Sequence, residues 1–269
     1  MIRMIGVGDN TVDTYLHKRM MFPGGNALNV AVLAGRYGHP AAYLGWLGKD
    51  ERGALIMNAL AEEGIDTSHC RVLDGEPTSF STVTLVDGDR VFGEGNHGAT
   101  NLIKLDDSDF AYISTFDLVH TSVFSYLEGQ IQDLRRASQR LSFDFSQNLE
   151  EDYLQKILPF VDIAFFSLAD VDQKGMDELM SKAIHSGPSL VVMTRGKEGA
   201  WIFDGEKLYH QGVIPVQAVD TLGAGDAFAA RFLVEYIDGT PIQLAMQRAA
   251  ESAAQNCTWY GAFGYGVAY

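Results

Sequence analysis

From Phe116 onward the chain alternates short apolar runs with amphipathic stretches at the spacing of βαβ units. Leu118–Thr121, Leu141–Phe145, Ile163–Phe166 and Leu190–Thr194 read as strands, with helical stretches after the first three. Such alternation calls for an α/β fold: a mostly parallel central sheet between helical layers, a three-layer α/β/α sandwich. In an open sheet of this kind the site lies beyond the carboxyl ends of the strands. That rule puts Asp144, Asp170, Thr194, Arg195 and Gly196 near it. A hairpin follows, Ala200–Phe203 and Lys207–Gln211, with Asp204-Gly205 as its turn.

The N-terminal half begins with a buried strand, Ile2–Val7, and a second is read at Ala41–Leu47. The charged run from Gly48 to Gly53 reads as a solvated loop before a helix with Leu55, Ile56, Ala59 and Leu60 inward. Thr78–Val86 alternates as a strand, Asp87-Gly88 signals a turn, and Arg90-Val91-Phe92 returns. An antiparallel pair does not belong in a parallel sheet, so these residues form a separate feature. With 46% apolar and 20% charged residues among 269, the chain has material for a sizeable core. No repeat or linker divides it, and residues 1–269 read as one domain.

Asp220-Thr221-Leu222-Gly223-Ala224-Gly225-Asp226 carries the chemistry. It follows the β-branched run Val213, Ile214, Val216, Val219 and opens a helix with Phe228, Phe232, Leu233, Tyr236 and Ile237 on one face. A glycine turn feeding a helix start leaves N–H groups unpaired beside the positive end of the helix dipole, which is an anion site. A carboxylate there repels a bound phosphate. Asp226 makes sense either as a plain helix cap or as a base that takes a proton from the attacking group. No P-loop string occurs anywhere.

Two further clusters look like hydroxyl-binding groups. Asp9 and Asp13 follow the first strand, and each carboxylate can accept from more than one hydroxyl; Asp9 or Asn10 can equally shape only the turn. Gly24-Gly25 opens a helix with Ala27, Val30, Ala31 and Ala34 buried and Gly38 at its end. Asn26 reads as a cap there, and Asn29 as a polar residue of the first turns. Thr194-Arg195-Gly196-Lys197-Glu198-Gly199 is, by pattern, only a hairpin approach. Thr240-Pro241-Ile242-Gln243 reads as a capping-box start with Pro at the first helical position.

The Asp220–Asp226 string resembles the C-terminal signature of the ribokinase-like (pfkB) carbohydrate kinases, and Gly24-Gly25 with Asn29 resembles their N-terminal signature. The resemblance spans nearly the whole chain. It implies ATP-dependent phosphorylation of a sugar hydroxyl with Mg²⁺, Asp226 as base, and Gly223, Ala224 and Gly225 at the transferring phosphate. Asp9, Asp13, Gly25 and Asn29 would then hold the sugar. Thr194, Gly196, Gly199, Thr221, Cys257 and Gly261 stand where the family meets ATP. The residues of about 12–16 and 78–96 would form a small β lid, with Arg90, Glu94 and Asn96 reaching the substrate and two chains pairing through it. The family's Asn-x-x-Glu becomes Ser167-Leu168-Ala169-Asp170 here, which leaves Asp170 to hold the metal's water shell or only to shape a turn. The strings Gly8-Asp9-Asn10-x-Val12-Asp13, Asp89-Arg90-Val91-Phe92-Gly93 and Phe143-Asp144-Phe145-Ser146 resemble the branch acting on Amadori sugars such as fructoselysine, at the 6-hydroxyl.

A net charge of −15 argues against a nucleic-acid or anionic-membrane partner. Cys70 and Cys257 have neither disulfide-framework nor zinc spacing, the N-terminus runs straight into a strand, and no apolar run approaches a membrane span. The expectation is a cytoplasmic enzyme. A dinucleotide oxidoreductase would need a third glycine where Thr11 stands, and a silent sugar sensor would have lost Asp226.

Overall fold

In the computed structural model, residues 1–86 and 89–269 are described, with only the backbone described at 85, 86, 89 and 90. The expected Asp87-Gly88 turn and the Arg90 side chain therefore lie outside the described residues.

The chain enters as β1 (Met4–Val7), then folds back on itself as β2 (Thr11–Tyr15) and β3 (Met20–Gly24) before α1 (Asn26–Arg36). It continues through β4 (Ala41–Leu44), β5 (Trp46–Gly48), α2 (Glu51–Glu62), β6 (Arg71–Leu73), β7 (Phe80–Val86) and β8 (Asp89–Asn96). Regular alternation follows: α3 (Asp107–Ile113), β9 (Leu118–Ser122), α4 (Ile131–Ala137), β10 (Leu141–Asp144), α5 (Glu151–Ile157) and β11 (Ile163–Ser167). Next come α6 (Gln173–His185), β12 (Leu190–Thr194) and the hairpin β13 (Ala200–Phe203) and β14 (Leu208–Gln211). Last are α7 (Ala224–Ile237), α8 (Ile242–Asn256) and β15 (Val267–Ala268).

The large sheet runs β14-β13-β12-β11-β10-β9-β1-β4, parallel from β4 to β12 and closed at one edge by the antiparallel hairpin. Successive strand residues point to opposite faces. Met4, Leu118, Leu190 and Val192 join the core under α1, α2, α7 and α8, while Ile5, Val119, Val191 and Met193 join the core under α3 to α6. Both faces are covered, which is why these strands read as unbroken apolar runs. The chain builds outward from β1 to β4, then returns to lay β9 on the other side of β1. The loops after β1 and β9 thus flank a topological switch point, where open α/β sheets bind ligands.

The second sheet, β15-β3-β2-β7-β8, is the expected lid, with β3 and β15 added to the anticipated strands. Tyr15, Phe22 and Val83 form its own small core. Several details differ from the pattern. The run Ala41–Leu47 divides at Gly45, whose carbonyl accepts from Arg71 N (3.2 Å), and β5 leaves the main sheet to pair with β6. Asp50 is no loose loop residue: it caps α2 at Gly53 N (2.8 Å) and accepts from Thr78 Oγ1 (2.7 Å). Pro241 stands at the N-cap of α8 rather than inside it, and the Thr240 hydroxyl donates to Glu235 (2.8 Å) instead of capping. Val213, Ile214, Val216 and Val219 are exposed and form no strand. No helix among the described residues is long and apolar enough to cross a membrane.

Candidate active site

At the switch point lies a cavity of about 540 Å³, walled by the turn after β1, the start of α1, the lid and the start of α7. Asp9, Asp13, Gly25, Asn29, Asn96, Thr194, Gly225 and Asp226 all line it, so the structure gathers into one cavity residues that the sequence scatters from 9 to 226.

The turn into α1 explains part of this. Asp9 is 5% exposed, and its carboxylate accepts from Asn26 N (2.5 Å), Ala27 N (3.2 Å), Ser122 Oγ (2.7 Å) and Ser125 Oγ (3.0 Å). It caps α1 from outside the helix and ties that helix to the loop after β9. Oδ1 takes three of these donors and Oδ2 only one, so Asp9 anchors the helix while Oδ2 keeps capacity for a further donor. Gly25 precedes the first helical residue at φ 113°, and a Cβ there would stand 2.5 Å from the Asn10 Cα. Only glycine fits such a conformation beside that backbone. Asn26 is thus the first residue of the helix, and its side chain is released from capping.

Asp226 sits in the first turn of α7. Asn29 Nδ2 donates to its Oδ2 (2.6 Å) and Asn26 Nδ2 to its Oδ1 (2.8 Å). Asn26 Nδ2 also donates to Asp144 Oδ2 (2.8 Å), at the end of β10. Burial pushes the Asp226 carboxyl up to about 7, and the negative charges of Asp144 and Asp9 add to the rise against the two asparagine bonds. Asp144 is raised to about 6, again chiefly by burial. A carboxylate poised near neutrality inside a cavity suits a general base.

The turn before α7 is held from behind. Asp220 accepts from Tyr15 Oη (2.6 Å), Gly261 N (3.0 Å) and Leu222 N (3.1 Å), which fastens the loop to the lid and to the C-terminal segment. Gly223 takes φ 77° at the N-cap, where a Cβ would meet the Ala262 Cα at 2.6 Å. Ala224 N is turned back to Thr221 O (3.3 Å), so the N–H groups of Gly225 and Asp226 are the ones without a partner in the helix's own ladder. Cys257 receives Val219 N (2.8 Å) and Asp220 N (3.2 Å) on its carbonyl, a structural contact. Gly196 and Gly199 take positive φ around a short turn after β12, where Arg195 pairs with Glu198 (2.7 Å).

Other candidates separate. Asn96 faces the cavity; Glu94 is exposed on the lid and outside its wall. Asp170 is exposed in the loop after β11, three residues beyond the cavity-lining Ser167. No cluster of three or more His, Cys, Asp or Glu able to hold a metal occurs among the described residues. The sequence pattern gives no site role to Asn26, Thr100 or His120. Among the described residues the buried atoms Asn10 Oδ1, Asn29 Oδ1, Asn96 Oδ1 and Thr100 Oγ1 have no partner, and all four residues line the cavity.

Residues 1–264 match the family described as pfkB family carbohydrate kinase. A Bacillus subtilis protein named fructosamine kinase FrlD is 43% identical over 272 residues, covering 100% of this chain and 95% of its own length. A fructoselysine 6-kinase of Escherichia coli is 34% identical, covering 96% of this chain and 98% of its own. Arabidopsis thaliana ribokinase complexed with ribose and ATP superposes with a TM-score of 0.85 at 22% identity, covering 98% and 95% of the two chains. The α/β architecture with its lid sheet is therefore the ribokinase-like fold, and the chain belongs to the pfkB family of ATP-dependent carbohydrate kinases.

Proposed function

We propose that this kinase transfers the γ-phosphoryl group of ATP to the 6-hydroxyl of a fructosamine, with fructoselysine as the first candidate. The observation that carries the sugar reading is the set of unpaired buried oxygens on Asn10, Asn29, Asn96 and Thr100 around one carboxylate base. Buried polar atoms want partners, and a polyhydroxyl ligand supplies several at once. The relatives named for fructosamine and fructoselysine narrow the class.

In this reading Asp13 and Asn29 orient the sugar, and Asp226 takes the proton of the attacking hydroxyl as its oxygen bonds the γ-phosphorus and the bond to the ADP oxygen breaks, releasing ADP. The Gly225 and Asp226 N–H groups, at the α7 dipole, hold the transferring phosphoryl oxygens. Thr194, Gly196, Gly199, Thr221 and Gly261 lie on the loops that would border ATP. Mg²⁺ bound with ATP supplies charge neutralisation at the β and γ oxygens. Mg²⁺ keeps several waters and needs only one or two carboxylates beside the phosphates, which the exposed Asp170 can provide. Asp170→Ala should then raise the Mg²⁺ concentration for half-maximal rate, with excess Mg²⁺ restoring much of the activity. An unchanged titration would remove Asp170 from the metal site.

The position of transfer is tested by ³¹P–¹H correlation on the product from fructoselysine. Coupling of the new phosphate to the C6 protons is the expected result; phosphate on another carbon would overturn this assignment.

A further inference from the structure

Asn26 stands between two carboxylates and a buried imidazole, and those neighbours decide which way its amide faces. Asp144 and Asp226, when ionised, only accept hydrogen bonds, so Nδ2 must be turned towards both, as the 2.8 Å distances to each show. Oδ1 is left facing His120 Nε2 at 2.9 Å, and needs a donor there. His120 lies fully buried in β9, and burial pushes it down to about 3, so it is neutral and carries a single ring proton. That proton belongs on Nε2. Nδ1 must then accept, and the Ser142 hydroxyl in β10 stands 2.7 Å away to donate, closer than its other acceptor, the Val119 carbonyl at 3.3 Å. A chain of donors thus runs in one direction, from Ser142 through His120 and Asn26 to Asp226.

We propose that His120 is a positioning residue for the base, locking the Asn26 amide so that both of its N–H bonds serve the Asp144 and Asp226 carboxylates. The proposal rests on the reading of Asp226 as base. Without a donor at His120 the amide is free to turn its oxygen towards Asp226, which disfavours the ionised carboxylate. The titratable groups facing Asp226 are Asp144 at the end of β10 and Asp9 after β1, with His120 acting through Asn26; both acids are negative when ionised, so nothing in that set opposes the change. Asn29 holds the other oxygen but has no partner on its own Oδ1, so it is not locked in the same way.

The test is the pH dependence of kcat/KM for wild type, His120→Phe, His120→Gln and Asn26→Ala, with Asp226→Asn alongside. His120→Phe should lower kcat ~10–10²-fold with KM for the sugar little changed, since it misaligns the base rather than removing a sugar contact. The midpoint of its acid limb should move up by about 0.5–1 unit, because a hydrogen bond to the charged form is lost. His120→Gln should restore most of both, its amide donating to Asn26 and accepting from Ser142. Asn26→Ala leaves the Asp9 bonds to the helix backbone intact and should show the same upward midpoint, which covers the case in which His120→Phe does not fold. An acid limb unmoved in His120→Phe or in Asn26→Ala, or Gln behaving no better than Phe, overturns the proposal. If Asp226→Asn is inactive while the acid limb stays fixed, only the positioning role fails. Near wild-type turnover in Asp226→Asn would remove the base reading itself.

Discussion

Asp226→Asn is expected to lower kcat ~10²–10⁴-fold while the protein still binds sugar. Asn has the same shape but cannot take the hydroxyl proton. Its amide would present one donor where Asp226 now accepts from both asparagines. Asn29 can accommodate this by turning its unpaired Oδ1 inward, whereas Asn26 is held by His120. The same substitution should stabilise the fold. Asp226 is raised from 3.8 to about 7, so the folded state binds its proton more tightly than the unfolded chain does. Stability from this group is therefore fully present below about pH 4, falls as pH rises, and is lost once pH passes about 7. At pH 8 Asn should gain of order 1–3 kcal/mol, or about 2–4 °C in Tm for each kcal/mol. The gain should shrink between pH 7 and pH 4. Thermal melts at pH 8 and pH 5, run beside steady-state kinetics, check both halves. A base held partly ionised in a buried site costs stability, so lost activity with higher Tm is the signature of function rather than of capping.

The parallel half of the fold was legible because its strands are buried on both faces: Ile163–Phe166 and Leu141–Phe145 read within a residue of the observed Ile163–Ser167 and Leu141–Asp144. Short edge elements were not. β3 contains Pro23 and Gly24, β15 spans Val267–Ala268 alone, and β5 and β6 are three residues each, too short for alternation to register. In the site, Asp226 and Asn29 are legible from glycine turns that open helices, and Asp13 from its place after the first strand. His120 and Asn26 did not, since they are 94 residues apart and meet only because β9 is laid beside β1. A lone histidine in an apolar strand carries no sign of what it will face. Asp9 was legible as a cavity residue but not as the external cap of α1, which depends on the unusual dihedral of Gly25. Glu94 lies exposed off the cavity wall, because a strand pattern does not say which lid face meets the cavity.

Substrate preference is the second large effect. A fructosamine differs from fructose in the group attached at C1, and under the proposed function that group would meet Phe92 and Asn96 of the lid together with His97, Thr100 and Phe124 of the adjoining cavity wall. In the proposed reaction binding energy from such remote contacts would place the 6-hydroxyl against Asp226, so its loss would lower kcat as well as raise KM. Asn96 Oδ1 and Thr100 Oγ1 are buried without partners among the described residues, and a substrate that leaves them so is penalised more than one lacking an apolar contact. The discrimination should therefore reach ~10²-fold or more in favour of the fructosamine. The direct measurement is coupled ADP release with fructoselysine, other fructosamines, fructose, ribose and adenosine at saturating MgATP. The account predicts kcat/KM highest for a fructosamine, with fructose at least ~10²-fold lower and ribose and adenosine lower still. A kcat/KM for fructose, ribose or adenosine equal to or above that of every fructosamine would contradict it.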